Sequence, residues 1–330
     1  MLLDQDLSIP PDLEFSSIRV GSLYSETYSN WINSRYHASM SYLARSERVM
    51  KSNDTSLLMQ NSKSIIVFLL NYRRKNSFRE GYGRIATYAS FGDYHKFFPR
   101  LIDKFMTENK LFVSNFKTYV DTGPLLERGL AKNSSLGWVG KNSMLINSAM
   151  GSFTFIGAAV TDLCIDNFSP SSSDLCGKCT KCIESCPTGA INLDRTLNSN
   201  LCISYHTIEN RGIIPMEVSA RMDDMIFGCD ICNNVCPWNA GKRDSSLVEV
   251  RQESYPPKMK LEDIAFIDKE SFNEIYRGSA IKRATHEGFA RNALIALYNS
   301  GQKELVREVA RHFTDLRRDQ ALLLLDDQSR

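Results

Sequence analysis

CGKCTKCIESCP, residues 176–187, places four cysteines at gaps of two, two and three and closes them with a proline. Bacterial ferredoxins hold 4Fe-4S clusters on thiolates at this spacing. A second run, FGCDICNNVCPWN (227–239), repeats the ending with Cys229, Cys232 and Cys236, then Pro237. When the two runs are aligned on their final Cys-Pro pairs, position 226 of the second should also be cysteine, and Ile226 stands there. The reading is a ferredoxin-like, two-cluster segment that must take one ligand from elsewhere in the chain.

In two-cluster ferredoxins the fourth cysteine of each run ligates the other cluster. By that rule Cys236 completes Cys176, Cys179 and Cys182, while Cys186 joins Cys229 and Cys232 and leaves one position open. Two cysteines remain. Cys202, in LCISY between the runs, is the nearer; Cys164 ends a predicted strand and reads as an inert core thiol. Zinc is the alternative metal, since Cys-x2-Cys pairs also build tetrahedral zinc sites. The four-cysteine run and the two Cys-x3-Cys-Pro endings fit two 4Fe-4S clusters better.

The chain has 330 residues, 42% hydrophobic and 24% charged, more than one core usually absorbs, so two or three domains are expected. Lys and Arg (40) barely exceed Asp and Glu (38), and any nucleic-acid surface must be a local patch. The N-terminal stretch MLLDQDLSIPPDLE has neither the basic nor the apolar region of a signal peptide, and no apolar run approaches the roughly 20 residues of a membrane span. A cytoplasmic protein with no membrane contact is the expectation. In that reducing compartment the nine cysteines, eight of them between 176 and 236, read as ligands rather than disulfides.

Residues 1–168 read as an α/β domain. SIIVFLL (64–70), FKTYV (116–120) and FTFIGAAV (153–160) are rich in β-branched and aromatic residues and bounded by turn residues, which predicts strands. Over 93–110, Phe97, Leu101, Ile102 and Phe105 recur at spacings of three and four, predicting an amphipathic helix capped by Asp93. The alternation predicts a layered α/β sheet. SPSSSD (169–174) is a linker that opens the ferredoxin-like domain, residues 169–245. Residues 246–330 read as all-α. In QKELVREVARHF (302–313), Leu305, Val306, Val309, Ala310 and Phe313 form one apolar stripe, and two or three helices from about Ser279 predict a small HEAT-like unit. Between Arg277 and Arg318 nine Lys or Arg stand against four Asp or Glu, either a solvated face or a phosphate-binding patch.

Low-potential clusters deliver single electrons, and the acceptor should lie in the first domain. Its most unusual stretch is VDTGPLLERGLAKNSSLGWVGKNSMLIN (120–147). Asp121 follows a predicted strand, where α/β proteins place ligand-binding groups, and it precedes Gly123-Pro124, where it can equally cap a helix. Gly137 and Gly140 flank Trp138 in a loop that either admits a cofactor to the backbone or is an ordinary tight turn. Neither GxGxxG nor GxxxxGK[ST] occurs, so nicotinamide and P-loop chemistry have no support. DYHKFF (93–98) opens like the Asp-x-His-x-x-Gly motif of cobalt-ligating proteins, but Phe98 replaces the glycine, and His95 reads as a helix-capping or surface histidine.

Taken together the chain resembles the epoxyqueuosine reductases, cobalamin-dependent iron-sulfur enzymes of the last step of queuosine synthesis on tRNA. The matching stretches are YLAR (42–45), TYASFGDYHK (87–96), VDTGPLLERGLA, GWVGKNSMLIN, GSFTFIGAAVTD (151–162), CGKCTKCIESCPTGAI, LCISYHTIENRGIIP, IFGCDICNNVCPWN and GSAIKRATHEGFARNALIAL, in order. The resemblance implies base-off cobalamin in the first domain, two 4Fe-4S clusters with Cys202 as the eighth ligand, and a helical unit that helps to hold tRNA. It places the proton donor on Asp121 and cobalamin contacts on Arg45, Asp121, Leu145, Ile156, Ser204 and Tyr88, several of them through backbone or packing. Burial beside an apolar corrin is expected to raise the Asp121 pKa. Phosphate contacts to a splayed anticodon loop would fall to Lys282, Arg283 and Arg291. A monomer fed by an external electron donor is expected.

The chain departs from the family where Thr87 stands for Arg, Phe91 for Gly and Asn142 for His, so contacts of those loops with corrin or RNA are expected to differ. Three other readings share some of these features. An iron-sulfur electron-transfer subunit would leave the first domain without a purpose. A reductive dehalogenase would be expected to carry an export signal. A zinc-bearing RNA scaffold would contain no iron.

Overall fold

The computed structural model describes residues 10–23, 25–75, 79–109, 115–165, 173–252 and 259–326, so residues 169–172 of the predicted linker lie outside it. Its strands are β1 (Leu13–Arg19), β2 (Ser64–Asn71), β3 (Arg84–Ile85), β4 (Phe116–Tyr119), β5 (Trp138–Val139), β6 (Leu145–Ile146), β7 (Thr154–Thr161) and β8 (Met225–Phe227). Four of them form an antiparallel sheet in the order β1-β2-β7-β4. Every residue of β2 is buried, because both faces of the sheet are covered. By the two-residue period of a strand, Ile66, Phe68 and Leu70 meet Phe98, Ile102 and Phe105 of the helix Tyr94–Glu108. Ile65, Val67 and Leu69 meet Leu130 and Ala131 of the helix Glu127–Asn133. Each such side chain contributes about 1.5–3 kcal/mol by leaving water. The helix over 94–108 approaches so closely that a Cβ at Gly157 in β7 would lie 2.5 Å from Ile102 Cδ1.

The predicted strands and the Asp93-capped helix are present within a residue or two. β1 was not predicted. Only Leu13, Ser17 and Ile18 of its seven residues are buried, too few for a clear alternation. The helices of the C-terminal region begin before Ser279: they are Val248–Arg251, Leu261–Ala265, Lys269–Ile275, His286–Asn299, Lys303–His312 and Leu316–Asp326. The last five share one core with the cysteine-rich segment: Ile203, Ile214, Met222 and Phe227 pack with Ile264, Phe289, Leu294 and Val306. The sequence boundary near 245 is therefore not a boundary between cores. The parallel pair β3–β8 also ties residues 84–85 to that core.

A buried amide network joins the α/β unit to the second cysteine run. Asn239 Nδ2 donates to Ser152 Oγ (2.9 Å) and to the Asn233 carbonyl (2.7 Å), and Asn239 Oδ1 accepts from the Ser152 N–H (2.8 Å). Ser152 Oγ and Asn142 Nδ2 both donate to Asn233 Oδ1, at 2.9 and 3.3 Å. Gly151, at φ +80°, leaves no room here: a Cβ would stand 2.1 Å from Asn239 Oδ1. Gly151→Ala is therefore expected to destabilise the fold by about 2 kcal/mol or more, through left-handed strain and disrupted buried hydrogen bonds. A lowered thermal midpoint checks it.

Candidate active site and cluster ligands

Asp121 does not cap a helix. The next helix begins at Glu127 with Leu126 at its cap position, and Asp121 itself adopts φ +58°, a conformation that Asp tolerates better than most residues. That turn brings its carboxyl to the start of the helix over 94–108. Tyr94 Oη donates to Asp121 Oδ2 at 2.9 Å, His95 Nε2 lies 3.1 Å from the same oxygen, and His95 Nδ1 lies 2.8 Å from Asp93 Oδ1. The Asp121 N–H donates to Glu127 Oε1 at 2.5 Å. His95 is thus neither a cap nor a surface bystander: it links two carboxylates and has no nitrogen left for a metal.

The electrostatics follow from this geometry. Burial alone would lower the His95 pKa, but its hydrogen bonds and charge interactions with Asp121 and Asp93 push it up to about 9. Burial would raise Asp121, and the His95 and Tyr94 hydrogen bonds with the His95 and Arg48 charges outweigh it, leaving the carboxyl below its ordinary range. The upward shift expected of Asp121 was one beside a bound corrin; in the protein alone the direction is downward. The acid pushed up is Glu127, to about 8, by burial and then by the neighbouring Asp121 charge.

Water reaches Asp121, Glu127 and Arg128, whose side chains are partly to largely exposed, yet protein surrounds each of them closely. They line a recess rather than an open face. Tyr88 and Tyr94 form its wall, edge to face at 6.0 Å, with Tyr94 stacked on Phe155 at 4.2 Å. Ile156 is the one residue of β7 that is not buried. Tyr88 feels the charges of Asp121, Asp230, Glu209 and Asp93, and Tyr42 those of Glu209, Arg283 and Asp121. Tyr88 in turn stands 6.1 Å from Phe227, so this wall reaches the second cysteine run, where Asp230 accepts the Thr87 N–H at 2.7 Å.

The cysteines fall into two sets. Cys236 feels Cys176 and Cys179, and Cys182 feels Cys176 and Cys236. Cys232 feels Cys229, Cys202 and Cys186, and Cys202 feels Cys186. Among the described residues the only three His, Cys, Asp or Glu ligand atoms drawn within 4.8 Å of one another belong to His286, Glu287 and Asp315. No three cysteine sulfurs thus lie within 4.8 Å of one another among the described residues, whereas a tetrahedral zinc site with Zn–S of about 2.3 Å holds its four at ~3.8 Å. Position 226 cannot supply a ligand: Ile226 is fully buried in β8, and its carbonyl accepts from Asn292 Nδ2 at 2.9 Å. Cys202, at the N-terminal end of the helix Ile203–Ile208, lies near Cys186 and Cys232. Cys164 is exposed, not a core thiol.

Other predicted contacts divide. Arg45 is exposed between a 3-10 turn (Ser41–Ala44) and the helix Ser46–Asn53. Leu145 is 2% exposed and packs in the sheet core. Ser204 lies in the first turn of the helix Ile203–Ile208, two residues after Cys202. Phe91 is buried among Tyr72, Phe97 and Phe155 in the core of the sheet, and Asn142 bonds Asn233 across to the second cysteine run. Lys282 and Arg283 are exposed, with Arg283 Nε and Nη2 on the Glu209 carboxylate at 2.7 and 2.8 Å.

Arg291 is fully buried and cannot meet phosphate. Its guanidinium donates to the carbonyls of Asn210 (3.0 Å), His206 (2.7 Å) and Gly212, bracing the segment that follows Cys202. Sequence charge counting missed this because it carries no information on depth. Arg291→Met is expected to destabilise the fold by about 3 kcal/mol, by orphaning buried carbonyls. The check is thermal unfolding, where a phosphate contact would predict no change.

An α/β unit whose carboxylate recess runs toward one of two four-cysteine sets defines an iron-sulfur oxidoreductase. Residues 175–239 match the 4Fe-4S double cluster binding domain, and residues 53–122 match the family described as epoxyqueuosine reductase QueG, DUF1730. The epoxyqueuosine reductase of Cyclobacterium marinum is 36% identical over 269 residues, 80% of this chain and 84% of its own. That of Escherichia coli is 34% identical over 289 residues, covering 84% and 74%. The chain belongs to the epoxyqueuosine reductase family. In fold it is similar to the epoxyqueuosine reductase of Streptococcus thermophilus (TM-score 0.79, 22% identity, 94% of this chain and 85% of that one). It is equally similar to an epoxyqueuosine reductase crystallised with an epoxyqueuosine-modified tRNA-Tyr stem loop (TM-score 0.79, 22% identity, 95% of each).

Proposed function

We propose that the chain reduces epoxyqueuosine to queuosine in the anticodon loop of a tRNA, with two 4Fe-4S clusters and base-off cobalamin as its redox groups and Asp121 as the acid at the epoxide oxygen. The observation that carries this is the walled recess holding the Asp93–His95–Asp121 chain beside the second cysteine set. Family membership and the tRNA-bound structural neighbour supply the substrate. Cys176, Cys179, Cys182 and Cys236 would hold one cluster; Cys186, Cys202, Cys229 and Cys232 the other.

The residues present fit a corrin whose cobalt takes no protein nitrogen. His95 has both ring nitrogens engaged, and the Tyr88, Tyr94 and Ile156 side chains offer apolar surface that water still reaches. Arg45, Tyr88, Asp121, Ile156 and Ser204 are the side chains that would contact it, and Leu145 would act through backbone or packing. Bound there, cobalamin would supply a low-valent metal able to give electrons to an epoxide carbon. The recess would be loaded from its mouth, where Lys282 and Arg283 would meet tRNA phosphates.

Converting an epoxide to an alkene consumes two electrons and two protons. Both carbon–oxygen bonds break, the double bond forms, and oxygen leaves as water. An alkoxide is a poor leaving group, so a proton must arrive as charge builds on oxygen. At neutral pH that proton lies on His95, hydrogen-bonded to Asp121, and the pair acts as one acid. Asp121 hands the proton on and is resupplied by His95. Glu127, neutral at pH 7 and bonded to the Asp121 N–H, is the nearest second store.

Reconstituted protein is expected to take up cobalamin and show base-off corrinoid absorption. Uptake of two clusters but no cobalamin would reduce the chain to an electron-transfer protein and sink this reading.

A further inference from the structure

The glycine-flanked loop GWVGK, residues 137–141, does not line the Asp121 recess. It grips the first cysteine run. Trp138 Nε1 donates to Cys176 Sγ at 3.4 Å, and the Lys141 ammonium donates to the carbonyls of Gly177 (2.8 Å) and Cys179 (2.9 Å). The Trp138 ring is 3% exposed and stands edge to face with Trp238, 4.8 Å away and two residues from Cys236. The α/β unit thus places one side-chain N–H and one cation against the cysteines of one set.

The two sets are not treated alike. Cys186 accepts the Ala190 N–H at 3.3 Å, a backbone donor of the kind usual around cysteine ligands. The Asp230 carboxyl acts on Cys229 and Cys232, and Arg221 Nη1 donates to the Pro187 carbonyl, beside Cys186, at 2.7 Å. Beside Cys176 stand Lys141 and an Arg195–Asp174 pair whose carboxylate accepts the Cys176 N–H at 2.9 Å, so what marks this set is the Trp138 N–H on a sulfur with the Lys141 ammonium, unpaired among the described residues, next to it. Reduction adds one negative charge to a cluster. A donor N–H on a ligating sulfur and a nearby ammonium stabilise that added charge and raise the potential.

From this we propose that Trp138 and Lys141 are positioning residues that hold the reduction potential of the first cluster above that of the second. The inference rests on the ligand sets proposed above, and on nothing about the substrate. An electron arriving from a donor would then rest on the cluster farther from Asp121 and pass inward only when the recess draws it.

The test is an anaerobic redox titration followed by electron paramagnetic resonance, on reconstituted wild type, Trp138→Phe and Lys141→Gln. Iron and sulfide analysis comes first: two clusters per chain keep the ligand assignment, and fewer in wild type would overturn that assignment rather than this inference. Wild type is expected to show two separated midpoints. Trp138→Phe keeps the ring and loses the N–H, Lys141→Gln loses the charge, and each is expected to move the higher midpoint down and leave the lower one in place. Unchanged midpoints in both variants, or movement of the lower one alone, overturn the proposal. Should Trp138→Phe fail to assemble, electron-nuclear double resonance on the wild type decides. With the indole nitrogen of tryptophan labelled with 15N, a 15N coupling to the reduced cluster that Trp238→Phe leaves in place supports the Trp138 bond, and its absence refutes it.

Discussion

Asp121→Asn is expected to slow turnover of epoxyqueuosine-bearing tRNA by about 10²–10⁴-fold, the usual contribution of a positioned proton donor, with cluster content and cobalamin uptake unchanged. Asparagine keeps the size and one acceptor for the Tyr94 hydroxyl but has no proton to pass. His95→Gln tests the other half of the pair through its pH profile. With His95 pushed up to about 9 by its two carboxylates, the wild type should keep its acid protonated through neutral pH and lose activity as pH rises through about 9. The variant should lose activity at lower pH, where Asp121 alone must hold the proton. Stability moves with the same groups. The His95 contribution is complete below its ordinary value of about 6.5 and disappears as pH climbs to about 9, while those of lowered Asp93 and Asp121 hold above about 4 and fade in acid. An unchanged pH profile in His95→Gln would remove histidine from the proton path.

The second large effect separates crossed from uncrossed wiring. Cys236→Ala is expected to lose the cluster of Cys176, Cys179 and Cys182, although Cys236 lies in the second run. Cys202→Ala is expected to lose the other cluster. Each variant should retain about half the iron and no measurable turnover, because removing one of four thiolates loosens the cubane and opens it to loss. Assigning the surviving signal uses Trp138→Phe: its shifted midpoint should vanish with Cys236→Ala and persist with Cys202→Ala. The reverse pattern would mean that each run keeps its own fourth cysteine.

How much was legible in sequence depended on whether a residue's role was local. Cysteine spacing and the Cys-Pro endings are local, and so are the strand runs at 64–70 and 153–160, whose buried character needs only composition. The helix over 94–108 announced itself through Phe97, Leu101, Ile102 and Phe105. Depth was not legible. Arg291 counted as a free cation and proved a buried brace, and Cys164 counted as core and proved exposed. Long-range pairing was equally hidden: His95 and Asp121 are 26 residues apart, and only a left-handed turn at Asp121 joins them. Trp138 stood in a loop that looked suited to a cofactor, and it meets a cysteine 38 residues on.

The account stands most directly on one measurement: nucleoside mass spectrometry of tRNA carrying epoxyqueuosine after anaerobic incubation with reconstituted protein, cobalamin and a low-potential reductant. The prediction is conversion to queuosine that needs both cofactors and vanishes with Asp121→Asn. Epoxyqueuosine left intact by protein with both clusters and cobalamin bound would contradict it.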